Sequence, residues 1–116
     1  MKHYMKLKSD PFERIKNGRK KIEIRLYDEK RQKVKEDDLI EFTNLESNEK
    51  LVTKVIKIHR FNTFKDLFNH FDYKMFGHDE KIDYKRMYEY YSKEEEQKYG
   101  VVGIEIKLLG DEKNGY

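Results

Sequence analysis

The sequence predicts an α+β fold, a small mixed β-barrel with short helices at its periphery. At 116 residues the chain has the length of one domain. Short segments that alternate apolar and polar residues, as strands do, are interleaved with short segments of helical periodicity. The final segment of the domain has the strand pattern. Two successive strands are joined by too few residues for a helical crossover, which argues against a parallel doubly wound sheet.

Composition indicates a folded domain with a highly charged surface. Charged residues make up 42% of the chain and hydrophobic residues 36%, but aromatic residues reach 14%, with nine Tyr and seven Phe. A disordered chain would lack these periodic aromatic and aliphatic residues. We expect one domain over residues 1–109 and a disordered tail over residues 110–116.

The first elements are a short strand over residues 4–8 and a helix. Asp10 and Pro11 are typical of a helix start, with Asp as the N-cap and Pro in the first turn. The helix is expected to end near Asn17. Gly18 then occupies the position of a C-terminal capping glycine, which is free to adopt a positive φ.

After Gly18 the hydrophobic period changes to that of a strand over residues 20–27. Apolar side chains alternate with polar ones there, which predicts a strand with one buried face, at Ile22, Ile24 and Leu26. Glu23 and Arg25 are directed to the other face, and Lys20 lies at the entrance to the strand.

The middle of the chain predicts two strands with a polar, turn-like segment between them. A charged connection over residues 28–35 leads to a strand over residues 39–42, and a polar turn over residues 44–50 follows. The next strand, residues 51–58, has apolar residues on both faces, so we expect it to be covered on both sides.

The remaining segments predict helices and a closing strand. Thr63 is a plausible N-cap for a helix whose core residues recur at helical spacing, namely Phe61, Phe64, Leu67, Phe68 and Phe71. Residues 72–81 are irregular, and a helical stretch covers residues 84–91. Ser92 and Glu95 have the spacing of a capping box and open a helix that ends near Gly100, before a strand over residues 101–108.

Several classes of function are unsupported. The chain has no cysteine, which excludes disulfides, thiolate catalysis and cysteine zinc sites. The net charge of +3 is weakly basic, so nucleic acid is a possible partner without being required. No metal site, cofactor, membrane segment or phosphate-binding glycine loop is predicted, and we expect a soluble cytoplasmic protein.

The main candidate site is formed by Lys20, Glu23 and Arg25. Two cations and a carboxylate beside a helix terminus suit a polar, partly anionic ligand. Arg25 suits planar bidentate recognition, and Glu23 suits an exocyclic amine or general-base work. For base work its pKa must rise through burial, which the cations oppose. The alternative is an exposed surface ion pair that contributes about 0–1 kcal/mol.

Other constellations have a structural and a functional interpretation. A basic rim of lysines and arginines either contacts phosphates or is a solvated face, at Lys6, Lys8, Lys16, Arg19, Lys20 and Lys21. A tyrosine group either packs on the core or stacks on unpaired bases, at Tyr84, Tyr88, Tyr90 and Tyr91. The glutamates 94–96 suit the first turn of a helix, and the four histidines show no close ligand spacing.

The residues also resemble a known family. The order F-x-x-I-x-x-G-x-K-x-x-E-x-R is similar to the signature of the ASCH domain, a barrel related to the PUA RNA-binding fold, at Phe12, Ile15, Gly18, Lys20, Glu23 and Arg25. The strand over residues 38–42 and the ending over residues 91–104 also resemble the family. The similarity covers residues 4–108 and is to small single-domain members of bacterial type.

The resemblance implies a PUA-like barrel with a pocket beside Gly18–Arg25 that binds single-stranded RNA or a small nucleoside. Some members are enzymes, and a small relative hydrolyses the acetyl amide of acetylcytidine with a lysine, a threonine and a glutamate. Lys20 matches that lysine, but Glu23 stands at the threonine position, so the hydroxyl nucleophile is missing. Lys20 and Glu23 as catalytic residues of an amidohydrolase are therefore the alternative. A protein-interaction module is a third possibility, and the oligomeric state and any third catalytic residue stay open.

Overall fold

A computed structural model of the chain describes residues 1–109 and shows a curled, five-stranded half-barrel sheet. The strands are β1 (Lys2–Leu7), β2 (Ile22–Leu26), β3 (Leu39–Asn44), β4 (Lys50–Phe61) and β5 (Val101–Leu108). Their order in the sheet is β1-β3-β4-β5-β2, with β1 parallel to β3 and every other pair antiparallel. The predicted α+β barrel class is confirmed, as an open half-barrel. The predicted tail lies outside the described residues.

Short helices surround the sheet. The α-helices are α1 (Ser9–Lys16), α2 (Glu29–Gln32), α3 (Phe64–His70) and α4 (Lys93–Tyr99), and two 3₁₀ helices cover Tyr73–Met75 and Tyr84–Glu89. The predicted helix over residues 84–91 is therefore a 3₁₀ helix that ends earlier. The charged connection over residues 28–35 contains α2, which the Asp28 side chain caps by accepting from the Arg31 N–H. No helix within residues 1–109 has the length and apolar character needed to cross a membrane.

Most of the predicted caps are confirmed. Gly18 lies just after the C-terminal end of α1, and its φ of +83° is the positive value expected of a capping glycine. The Thr63 hydroxyl accepts from the Asp66 N–H, and Ser92 forms the capping box of α4. The prediction of Asp10 as the N-cap of α1 was wrong, because α1 begins two residues earlier, with Lys8 as its N-cap and Asp10 in its first turn.

The two faces of β4 are not equally covered, so the prediction for that strand was wrong. Leu51, Thr53 and Val55 are buried, but Ile56 is 42% exposed. A β-bulge between Val55 and Lys57 interrupts the alternation at this point. Side chains beyond the bulge no longer continue the buried row.

β2, in contrast, is buried on both faces, where one buried face was expected. Its apolar side chains join an outer core with residues of α3, at Ile22, Ile24, Leu26, Phe64 and Leu67. On the opposite face of β2, Glu23 and Arg25 are the register partners of Ile104 and Val102, which belong to an inner core that also contains Phe12, Ile15, Ile40 and Phe42. Phe64 is fully buried, and Phe61, Phe68 and Phe71 pack around the outer core as partly buried residues. Glu23 and Arg25 are therefore on an enclosed face.

Candidate functional site

A gap between β1 and β2, the two edge strands of the half-barrel, contains a pocket of about 530 Å³. Two side chains span this gap by donating to main-chain carbonyls of β1. Arg25 Nη2 lies 3.0 Å from Lys6 O, and Lys30 Nζ lies 2.8 Å from Tyr4 O. The barrel is thus closed at this point by side chains rather than by paired strands.

The pairing of β2 with β5 also directs main-chain groups toward the gap. The N–H of Ile106 donates to Lys21 O, and the N–H of Tyr27 donates to Gly100 O. In an antiparallel pair, alternate residues bond to the partner strand, so the N–H and C=O of Ile24 are directed away from β5. Ile24 lines the pocket and adds a donor and an acceptor to its wall.

The base of the pocket is the buried group Lys20, Glu23 and Arg25. Lys20 is 8% exposed and Glu23 is 4% exposed. Glu23 Oε1 lies 3.4 Å from Lys20 Nζ, and Glu23 Oε2 lies 2.6 Å from Arg25 Nε. An exposed surface ion pair does not describe this arrangement, because one carboxylate joins two cations away from bulk water.

The segment that follows the first 3₁₀ helix holds Lys20 in place. Lys20 forms an isolated β-bridge with Phe76, and the Lys21 N–H donates to Met75 O at 2.8 Å. Gly77 has a φ of +83°, and a Cβ there would lie 3.0 Å from Arg14 Cδ and 3.1 Å from Lys20 Cβ. A glycine is needed at this position for both the backbone conformation and the close approach.

Burial and charge oppose each other in the pKa values of the site. Burial alone would raise the pKa of Glu23, but the Arg25 and Lys20 cations outweigh burial and hold its pKa below the usual range. Burial, helped by the nearby Arg14 and Arg25, lowers the pKa of Lys20 against the attraction of Glu23. Glu23 is therefore an ionised acceptor and a weak base at neutral pH.

The rim of the pocket adds cations from distant parts of the chain. Lys6, Lys8, Arg14 and Arg86 line it, and Arg14 is paired with Asp10. Burial, with help from Arg14 and Lys20, lowers the pKa of His78 in the same wall. The sequence pattern did not identify Arg14 or Arg86, because neither belongs to the charged segment around Lys20.

Only part of the predicted basic rim lies at the pocket. Lys6, Lys8 and Lys20 line it. Lys16 Nζ is instead 2.6 Å from Glu49 Oε2, and Arg19 is paired with Asp79. The remaining member of the set, Lys21, immediately precedes β2, is exposed, and does not line the pocket.

The tyrosine group divides between packing and exposure. Tyr84, Tyr88 and Tyr91 pack on the outer core, as their structural interpretation expects. Tyr90 is 58% exposed at the pocket, and Lys8 Nζ lies 5.2 Å from its ring centroid. The Tyr90 ring is therefore accessible for stacking, whereas the other three tyrosines are largely used in packing.

One of the three glutamates of α4 has a role that the sequence did not predict. Glu95 completes the capping box, as expected. Glu96 is only 6% exposed, and it accepts from the Phe64 N–H at 2.7 Å and from the Tyr88 hydroxyl at 2.8 Å. In the sequence Glu96 could not be distinguished from its acidic neighbours in the first turn of the helix. Its spacing of one turn from Ser92 places it on the inner face of α4.

The histidines are engaged separately. His3 Nε2 lies 2.8 Å from Asp38 Oδ2, and His59 Nε2 lies 3.0 Å from Glu105 Oε1. Within residues 1–109 no group of three or more His, Asp or Glu side chains could hold a metal ion.

Comparison with known proteins identifies the family. The ASCH domain model matches residues 5–110. The chain is 37% identical to the hypothetical protein PH0355, whose crystal structure superposes with a TM-score of 0.79 over 94% of this chain and 100% of that one. It is 34% identical to protein PF0455 from Pyrococcus furiosus, whose solution NMR structure gives a TM-score of 0.70 over 94% of this chain and 98% of that one.

A search of curated proteins gives no significant match. ASCH domains fall in the PUA-like superfamily, which is generally linked to RNA binding. With the family model covering nearly the whole described domain, the chain belongs to the ASCH family.

Proposed function

We propose that the protein binds RNA or a nucleotide-like ligand in the pocket between β1 and β2. The observation that carries this proposal is the buried group at the base of the pocket, where Glu23 is held between Lys20 and Arg25. Charged side chains are rarely buried without a structural or functional reason. Here they lie at the bottom of an open pocket rather than in a sealed core.

The donors and acceptors of the pocket match the edge of a nucleobase. The ionised Glu23 accepts from an exocyclic or ring N–H, while Lys20 and Arg25 donate to a base carbonyl. The main chain of Ile24 supplies a further donor and acceptor on the same wall. A volume of about 530 Å³ is within the range of small-molecule sites and accommodates a nucleoside.

The charge of the pocket favours a ligand that also carries phosphate. Six basic side chains line the pocket against two carboxylates, Asp10 and Glu23. The exposed members, Lys8 and Arg86 among them, lie at the rim, where the ligand's phosphate would be solvated. We therefore expect a nucleotide or an RNA end to bind more tightly than the corresponding neutral nucleoside.

The test compares binding of nucleosides, nucleoside monophosphates and a 10-nucleotide single-stranded RNA by calorimetry and fluorescence anisotropy. Lys8→Ala and Arg86→Ala remove exposed cations of the rim, so they should leave folding unchanged and weaken monophosphate binding by about 3- to 10-fold. Lys20→Ala and Arg25→Ala should weaken binding of both classes, with thermal unfolding recorded to confirm that these variants fold.

Lys33→Ala and Lys57→Ala are the matched controls, since both lysines are exposed and lie outside the pocket. They should bind as the unmodified chain does. Equal loss in the controls and the rim variants would show that general surface charge binds the RNA, and unchanged binding in all the pocket variants would exclude this site.

The alternative is an amidohydrolase that acts on acylated nucleosides such as acetylcytidine, with Lys20 and Glu23 as the catalytic residues. The observation in its favour is the lowered pKa of Lys20, which brings a neutral amine closer to neutral pH. The lowered pKa of Glu23 opposes a general-base role for the carboxylate. Hydrolysis would add water across the amide and release acetate and cytidine.

Incubation with acetylcytidine, followed by chromatography of the products, tests this alternative. If the carboxylate is the base, Glu23→Gln abolishes turnover, and Lys20→Met does so if the amine is the base. Release of acetate at the uncatalysed rate by the unmodified protein would leave ligand binding as the function of the pocket.

A further inference from the structure

A second concave surface lies outside the pocket, between α3 and α4 and beyond the end of the β4–β5 pair. This trough has a volume of about 1220 Å³, and none of its lining residues also lines the pocket. Its lining includes Phe61 and Val101, which are register partners at the end of β4 and the start of β5. Its volume exceeds that of a typical small-molecule site, which suits a segment of a polymer.

Aromatic rings and cations are paired at the end of the trough near β2. The Arg60 guanidinium carbon lies 4.2 Å from the Tyr27 ring centroid, and Lys98 Nζ lies 5.0 Å from the Tyr99 ring centroid. Arg60 is exposed, so its guanidinium group lies over the Tyr27 ring and is also accessible to solvent. A planar cation that is held on an aromatic ring in this way is a ready platform for another planar group.

The exposed charges of the trough are mostly positive. Arg60, Lys93 and Lys98 are exposed, and Asp66 is the exposed carboxylate among the lining residues. Glu96 also lines the trough, but it is buried and already accepts two hydrogen bonds from neutral donors. The surface that a ligand meets is therefore cationic.

Three side-chain amides complete the lining, those of Asn62, Asn69 and Gln97. All three are exposed, and among residues 1–109 none of these amides hydrogen bonds to another protein group. Each amide offers both a donor and an acceptor, which is the combination that the edge of an unpaired base requires.

We propose that the trough binds one or two unpaired nucleotides of a single-stranded RNA. Bases would stack on the guanidinium group of Arg60 and against Tyr99, the amides would bond to base edges, and Lys93 and Lys98 would lie near the phosphates. A duplex would not present unstacked bases to these groups. The inference rests on the proposed function in that it takes the ligand to be RNA, but it assigns a contact site separate from the pocket.

The experiment uses two probes, uridine monophosphate and a fluorescein-labelled 10-nucleotide oligouridylate. Arg60→Ala and Lys98→Ala should each weaken oligonucleotide binding by about 3- to 10-fold and leave monophosphate binding in the pocket unchanged. Arg60→Lys keeps the charge and removes the planar group, so it should lose most of the affinity that Arg60→Ala loses. Lys98→Ala should also reduce the salt dependence of oligonucleotide binding by about 0.7 in the logarithmic slope.

Lys57→Ala, an exposed lysine outside both sites, is the control and should match the unmodified chain. Oligonucleotide binding that is unchanged in all the trough variants would overturn this inference while leaving the pocket as a site. Loss in the trough variants with no loss in Lys8→Ala or Arg86→Ala would uphold the trough and contradict the pocket. Affinity that Arg60→Lys fully retains would overturn the stacking role of Arg60.

Discussion

Glu23 and Glu96, the two buried glutamates within residues 1–109, differ in the chemistry of their partners. Glu23 is bound by two cations at the base of an open pocket. Glu96 is bound by a main-chain N–H and a tyrosine hydroxyl, which are neutral groups that join α3, α4 and the second 3₁₀ helix. A carboxylate with neutral donors joins the elements that supply them, whereas one between two cations at a pocket base belongs to a charged group that faces a cavity.

The largest expected effect comes from Glu23→Gln. The substitution leaves Lys20 and Arg25 buried without their counterion, so the free energy of unfolding should fall by about 3–5 kcal/mol. Urea denaturation followed by circular dichroism measures the loss. The double variant Lys20→Met, Glu23→Gln removes one of the two uncompensated charges and should recover a measurable part of it. A loss below about 1 kcal/mol for the single variant would contradict the ion-pair description.

A somewhat smaller effect is expected from Glu96→Ala. The substitution leaves the Phe64 N–H and the Tyr88 hydroxyl without their acceptor, and stability should fall by about 2–4 kcal/mol. Tyr88→Phe removes one of the two bonds and should cost about 1 kcal/mol in the same assay. Glu94→Ala, an exposed neighbour on α4, is the control and should stay within about 0.5 kcal/mol. If Glu94→Ala cost as much, helix charge rather than the buried acceptor would be responsible.

The hydrogen bond from the Tyr88 hydroxyl to Glu96 also predicts a loss of stability at alkaline pH. Burial and the hydrogen bond to Glu96 raise the pKa of Tyr88 to about 12, from 10.0 in an ordinary tyrosine. Between these values the unfolded chain loses the proton and the folded chain keeps it, so stability falls as pH rises through this range. Denaturation midpoints measured from about pH 9 to about pH 12 should decline less in Tyr88→Phe than in the control Tyr90→Phe.

The smallest effect concerns Asp38, a carboxylate near the surface that lies between the two cases. Its pKa is lowered to about 2 by the hydrogen bond to His3, with further bonds from the Lys35 N–H and the N-terminal amine. This stabilisation is complete above the ordinary value of 3.8 and is lost as pH falls toward 2. Asp38→Asn should cost about 1 kcal/mol at neutral pH and flatten the acid limb of the stability profile. An unchanged acid limb would show that Asp38 is not the group that titrates there.

Local signals in the sequence predicted much of the fold and the three residues at the centre of the candidate site. Gly18, Thr63 and the Ser92–Glu95 box act within a few residues of themselves, so their roles can be deduced from short segments. The order of Lys20, Glu23 and Arg25 after a helix resembled a family, and the structure places those three side chains together.

What the sequence could not show depends on contacts between distant segments. The burial of Glu23 follows from covering β2 on both sides, and no alternation within residues 20–27 reveals a second layer. Arg14 and Arg86 reach the pocket from α1 and from the second 3₁₀ helix. Glu96 looked like its two acidic neighbours until the packing of α4 on α3 distinguished it. The wrong N-cap has a different and local origin, because Lys8 occupies the N-cap position without a side-chain hydrogen bond and therefore leaves no signal in the residue type.

The position of β2 at the edge of the sheet has a consequence for how the protein is made. β2 pairs with β5, about 80 residues further along the chain, and residues 1–109 contain no other strand beside it. Its charged residues leave the ribosome long before the strand that supports them, and such distant pairings form slowly. The nascent chain therefore carries Lys20, Glu23 and Arg25 before the pocket that they line has formed. The pocket forms only after β5 has been made, so the RNA binding that we propose there cannot begin while the chain is shorter than that.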